Sequence, residues 1–317
     1  MNSNIHQLSN FPAFTWSQEA LNELVLSLRI KQDTLLKRMD TLSVELKQEA
    51  STLILRQDII ANIEIEQNLP FFEQFLTILS QNEHFLGKNA SFLTDSTQNY
   101  KETLTKERLL TWLPQFSQGN LNATNIQLDQ FLAWFNKPGL DRLLKAAIAH
   151  LWFVSITPFN GGNGFVSRLI TDMQLAKADG THYRYYSFSN QLLKEQDDYQ
   201  FILEQVQKGS LDITIWLQWF LNCLGRAYDA SDNLLSLILK KDAFWKKHVD
   251  VIVNKRQKQI INTLLQGLGE KFSTTTYASL TKCSRDTALR DITDLMEKNI
   301  LIKKEGLGKN TNYHLSH

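Results

Sequence analysis

The run Ile156-Thr157-Pro158-Phe159-Asn160-Gly161-Gly162-Asn163-Gly164-Phe165-Val166-Ser167-Arg168 holds the residues best spaced for chemistry in this chain. Three of the five residues from Asn160 to Gly164 are glycine, and the run sits between two helix-like apolar stretches. Glycine lets successive N–H groups turn inward around an anion, and a helix that follows adds the positive end of its dipole. Asn160, Gly161, Gly162, Asn163 and Gly164 could thus form a phosphate cradle, with Arg168 supplying a guanidinium. The same glycines would also serve a plain turn between core helices. No base is present in the run, because the Thr157 hydroxyl does not ionise near neutral pH.

From Ala149 to Arg168 the chain resembles the central motif of the Fic (Fido) family, which reads His-Pro-Phe-x-Asp/Glu-Gly-Asn-Gly-Arg-x-x-Arg in active members. The likeness extends over nearly the whole chain, to the subfamily with an N-terminal helical domain and a C-terminal winged helix. It is carried by Phe14-Thr15-Trp16, Glu107-Arg108-Leu109, Gly209-Ser210-Leu211-Asp212-Ile213-Thr214 with Trp216, and the stretch Cys283 to Asp291. Active relatives transfer AMP from ATP to a hydroxyl of a target protein, with the motif histidine as general base. Here Thr157 takes the histidine position, Gly162 is read at the position of the Mg²⁺-binding acid, and Phe165 replaces the first arginine, a phosphate partner. The resemblance therefore implies a degenerate, catalytically silent member, with no metal site, no Mg²⁺, and weak ATP binding if any. His150 matches a histidine of active relatives and lies two helical turns before Thr157, so it is read as structural rather than as a substitute base.

A second family feature is an inhibitory helix of pattern Ser/Thr-x-x-x-Glu-Gly/Asn, whose glutamate pairs with the second motif arginine. Asn62-Ile63-Glu64-Ile65-Glu66-Gln67 is the matching stretch. Glu66 is expected to latch onto Arg168, while Asn62 and Gln67 depart from the pattern. Between Leu113 and Gln127, where active relatives carry a β-hairpin flap that aligns the target peptide, the chain is short, rich in Asn and Gln, and without two strand-like runs.

The elements that must hold these residues are mainly helical. Leu21, Leu24, Val25 and Leu28 begin an apolar stripe that Leu35, Leu36 and Met39 continue toward Leu46, and a second helix is expected over 52–66. Helices over 140–154 and 165–177 flank the loop, and one over 215–227 closes the domain. Further on, 255–268, 275–280 and 284–298 read as three helices, the last with a serine N-cap and with Ala288, Ile292, Leu295 and Met296 inward. Strands over 300–304 and 311–315 then complete a winged helix-turn-helix. The expected organisation is an N-terminal helical domain over 1–95, a Fic-fold core over 96–240, a linker helix over 241–254 and the winged helix over 255–317.

The 317 residues carry 34 Lys/Arg against 33 Asp/Glu, so any nucleic-acid contact must be local rather than a general basic coat. Residues 255–317 hold eleven Lys/Arg against six Asp/Glu. Arg285 and Arg290 on the recognition helix, with Lys303, Lys304 and Lys309 on the wing, are the candidate contacts to duplex DNA, with Asp286 and Asp291 weakening that face. The same module could dock a protein or pack a homodimer, and both readings stand. Two rivals also stand for the core: a weak or altered nucleotidyl or phosphoryl transferase, and a scaffold that only dimerises. The longest apolar run, Ala146 to Ile156, is too short to span a bilayer, and Cys223 and Cys283 lack metal-ligand spacing. A cytoplasmic protein without membrane contact is expected.

Overall fold

The computed structural model describes residues 4–66, 91–113, 126–265, 272–304 and 312–316. It divides into two compact units, Met1–Asp232 and Asn233–His317. The fold is mainly α, with one two-stranded sheet among the described residues. No helix among those residues is long and apolar enough to cross a membrane.

Two antiparallel neighbours form the centre of the first unit: α6 (Arg142–Ile156) and α7 (Asn163–Asp179). Helix α6 starts where Asp141 accepts hydrogen bonds from the Leu143 and Leu144 amides, which satisfies two of its orphan donors. From Leu143 on, only Val154 is not buried, and α7 is buried from Phe165 to Ala176, so neither shows a polar face over most of its length. Around them lie α1 (Gln18–Asp40), α2 (Val44–Ile65), α3 (Ser91–Gln98), α4 (Lys106–Trp112), α5 (Ile126–Phe135), α8 (Phe188–Lys194) and α9 (Gln196–Gln207). Trp152 of α6 packs edge-on against Phe11, Phe14 and Phe131, and Trp216 donates to the Ala147 carbonyl at 2.8 Å.

Several boundaries differ from the sequence expectation. The stripe expected to run from Leu21 toward Leu46 is broken after Asp40, because Ser43 caps a new helix by accepting from the Leu46 amide. As a result α2 begins at Val44, eight residues before the expected start. The closing helix, α10 (Thr214–Lys247), continues far past Ala227. No glycine or proline follows Gly225 before Lys247, so nothing in the backbone stops it.

The second unit contains α11 (Lys255–Leu265), α12 (Thr274–Thr281), α13 (Arg285–Glu297), β1 (Leu301–Lys304) and β2 (Asn312–Leu315). The strands pair antiparallel, with Leu301 opposite Leu315 and Lys304 opposite Asn312. Ser284 caps α13 by accepting from the Thr287 amide, and Ala288, Ile292 and Leu295 enter a core shared with Ile260, Ile261, Tyr277 and Tyr313. The expected strand loop, 305–310, lies outside the described residues, as do Gln67 and most of the segment read as a shortened flap.

Candidate functional site

The loop between α6 and α7 is closed by its own asparagine. Asn163 accepts from the Phe159 amide at 3.0 Å and donates to the Phe159 carbonyl at 2.7 Å, so its side chain is spent on loop shape. Gly162 caps α7 with φ 76°, a left-handed conformation that glycine adopts without a Cβ clash. Thr157 also has positive φ, 39°, which a β-branched residue rarely adopts. Its side chain is exposed, as is that of Asn160. The backbone thus holds a turn at Thr157 for which threonine is a poor fit.

The twelve-residue motif laid from Thr157 to Arg168 corrects one assignment. Its acidic position falls on Gly161, whereas Gly162 stands at the motif's own glycine, in agreement with its left-handed φ. A side chain added at Gly161 would meet no atom within 4 Å. The acid is therefore absent from a place that has room for it.

Arg168 is the deepest charge of the site. Its side chain is 1% exposed, and Nη2 donates to Glu66 Oε1 at 2.8 Å; the Glu66 side chain is 18% exposed. The expected Glu66–Arg168 pair is thus formed. A further partner was not expected: Arg168 Nε donates to Asn62 Oδ1, and Asn62 Nδ2 donates to the Asp58 carbonyl at 2.8 Å. Asn62 stands one turn before Glu66, so an i, i+4 pair on one face of α2 grips one guanidinium. That spacing was the available signal. The carboxylate also lies over the first turn of α7: a Cβ at Gly164 would stand 3.0 Å from Glu66 Oε1 and 3.4 Å from Arg168 Nη1. Glycine at 164 is what permits that approach, and the dipole of α7 favours the negative charge there.

His150 has both ring nitrogens engaged inside the core. It is fully buried, with Nδ1 2.9 Å from Thr171 Oγ1 and Nε2 3.1 Å from Tyr199 OH. Burial, and then the neighbouring Arg168 charge, push its pKa down to about 3, so it is neutral at physiological pH. Phe165 is buried in α7. The residues present do not fit a magnesium ion: Asn160 to Gly164 carry no carboxylate, and the carboxylate that reaches the loop, Glu66, is engaged by Arg168.

The family model of the Fic/DOC family matches residues 120–175, a span that includes the loop, α6 and most of α7. Residues 120–175 are thus a Fic/DOC family domain. Residues 4–70, which include Glu66, match the model of a domain of unknown function, DUF4172. Among solved structures, a Fic family protein from Desulfovibrio desulfuricans G20 is similar at a TM-score of 0.51 and 17% identity, covering 96% of this chain and 98% of that one. That likeness shows a shared fold. A Fic domain containing signaling protein from Bacteroides thetaiotaomicron VPI-5482 matches at a TM-score of 0.47 and 17% identity, covering 68% of this chain and 97% of that one. No curated protein matches the chain.

In the second unit, Arg285, Arg290 and Lys303 are exposed, with Arg285 donating to Thr275 Oγ1 at 2.6 Å. Asp291 does not share that surface. It is 7% exposed and accepts from Arg256, Asn254 and Tyr277, so of the two acids expected to weaken the basic face only Asp286 is exposed. The reason is helical phase: Asp291 lies between the inward residues Ala288 and Ile292 and Leu295. The Lys304 side chain and Lys309 lie outside the described residues.

Proposed function

We propose that this Fic domain retains the loop and latch of its transferase relatives but is silent in AMP transfer. The observation that carries the reading is the lack of a base at Thr157 together with a neutral His150 whose two ring nitrogens are both occupied. Loss of a general base alone typically removes about 10²–10⁴-fold in rate. The missing acid at Gly161 and the apolar Phe165 remove the metal carboxylate and a phosphate partner as well. Glu66 further occupies the mouth of the α7 N-terminus, where a phosphate would have to sit.

Incubation with labelled ATP and Mg²⁺ is expected to give no label on the protein or on lysate proteins. Thr157→His alone should stay silent, although the left-handed backbone there accommodates histidine better than threonine. The combination Thr157→His, Gly161→Asp, Phe165→Arg and Glu66→Gly is the smallest change expected to restore transfer. Robust labelling by the unmodified chain, abolished by a pocket substitution, would overturn the reading.

The second unit is proposed to be a winged helix that contacts duplex DNA, a reading favoured over protein docking by the inward placement of Asp291. With Asp291 turned away, Arg285 and Arg290 present positive charge at the exposed start of α13, and Lys303 on β1 is exposed as well. Fluorescence anisotropy on a random duplex pool should show affinity falling steeply with salt. Replacing a phosphate-contacting residue such as Lys303 by alanine should lower the magnitude of the log–log slope by about one. A slope unchanged by Arg285→Ala, Arg290→Ala and Lys303→Ala would leave docking as the better account.

A further inference from the structure

At the end of the α6–α7 pair remote from the glycine loop lies a cavity of about 610 Å³. A fifteen-residue helix is about 22 Å long, so this cavity is distinct from the Fic loop. Five basic residues line it, Lys101, Lys137, Arg142, Lys145 and Lys177, and no carboxylate is among its described lining residues. The nearby acids are turned elsewhere: Asp141 pairs with Arg29, and Asp179 faces Arg184.

The partners that the structure gives four of these cations are carbonyls and rings. Lys145 Nζ donates to the Lys137 carbonyl, and Arg142 Nη1 donates to the Lys177 carbonyl. Lys177 Nζ stands 4.9 Å from the Phe135 ring centre, and Lys101 Nζ 5.7 Å from that of Tyr100. Lys145 is 6% exposed, so at least one of the charges is built into the protein rather than carried on its surface. Like charges gathered in a partly desolvated space, with no carboxylate among the described lining residues, repel one another. The pKa of Lys177 is pushed down to about 8, first by burial and then by Lys145, Arg108 and Arg142.

We propose that this cavity is a binding site for a small phosphorylated compound. Its volume falls within the usual range of small-molecule sites, roughly 300–1,000 Å³. Arginine and lysine together suit phosphate oxygens, the first by paired N–H groups and the second as a point charge. The rings of Phe135 and Tyr100 are also among its lining residues.

Inorganic pyrophosphate, titrated calorimetrically into the full chain, should bind, and the affinity should fall about tenfold or more in Arg142→Gln and in Lys177→Gln. Lys137→Gln, at an exposed position, should show the same direction without risk to folding. Gly161→Asp, which places a negative charge at the Fic loop, should leave this binding unchanged. Pyrophosphate binding that is lost in Gly161→Asp but kept in the three cavity variants would move the site to the loop and overturn the proposal. No binding at millimolar pyrophosphate, or equal affinity for chloride, would overturn it too.

Discussion

Replacing Glu66 by alanine should destabilise the first unit by about 3–5 kcal/mol, the usual cost of stranding one member of a buried ion pair. Arg168 cannot reach water to compensate, since its side chain is 1% exposed, and it would keep Asn62 as an acceptor but lose its counter-charge. Glu66 is 18% exposed, so the converse loss strands a carboxylate that water can partly solvate. The pair is thus asymmetric, and the asymmetry can be read in a double variant. Glu66→Ala combined with Arg168→Met should be more stable than Glu66→Ala alone, because the second change removes the stranded charge and fills its place with an apolar side chain. Glu66→Gln, which keeps an acceptor, should lie between the parent and the alanine variant. Denaturant unfolding followed by tryptophan fluorescence measures all four. A Glu66→Ala change within about 0.5 kcal/mol of the parent would show that the pair is worth no more than an exposed one.

The parts of this arrangement that were legible in the sequence are those carried by local pattern. Helices α6 and α7 follow from their apolar runs and the intervening glycines, and Arg168 follows from its spacing to the loop. Asn62 was visible only as a departure from a pattern, although its position four residues before Glu66 puts it on the same helix face. Helix α10 outran its expected end at Ala227 because Asp229, Ser231, Asp232 and Asn233 weaken the apolar periodicity without breaking the backbone. Asp291 looked like a surface acid because polar character predicts exposure, and only its three partners, which are distant in sequence, make an inward carboxylate tolerable. The five-cation cavity draws on the start of α6, the end of α7 and the segments around Tyr100 and Phe135, so no window of sequence contains it. The acidic position, read from the sequence at Gly162, falls on Gly161 because three glycines in five residues blur the register, which the φ of Gly162 restores.

Arg184→Gln should be at least as damaging as Glu66→Ala, and its cost should depend on pH. Arg184 is 5% exposed, with Nη2 3.1 Å from Asp172 Oδ1 and Nη1 3.6 Å from Asp179 Oδ2, while Asp58 accepts from Ser187 nearby. Arg184 therefore pairs with two buried carboxylates while its charge also acts on a third, Asp58, and its removal should cost about 3–5 kcal/mol or more at neutral pH. The pKa values of Asp58, Asp172 and Asp179 are already raised, first by burial, with Asp172 adding to Asp58 and Asp179 to Asp172, while Arg184 opposes the rise in each. A carboxyl whose folded pKa lies above its unfolded value of about 4 binds protons more readily when folded, so its contribution to stability falls as pH rises through that window. Loss of Arg184 should raise all three further, and Arg184→Gln should recover part of its deficit as pH is lowered from about 8 to 5.5. His150 acts in the opposite sense, since its folded pKa of about 3 makes acidification below its unfolded value destabilising. That contribution is common to parent and variant, so the difference between their urea midpoints isolates the carboxylates. Asp58→Asn, which removes a buried negative charge and keeps an acceptor for Ser187, should stabilise the parent at pH 7 to 8 and reduce its gain on acidification. A deficit of Arg184→Gln that stays constant from pH 8 to 5.5 would mean that the three carboxylates do not share their protons through this cluster.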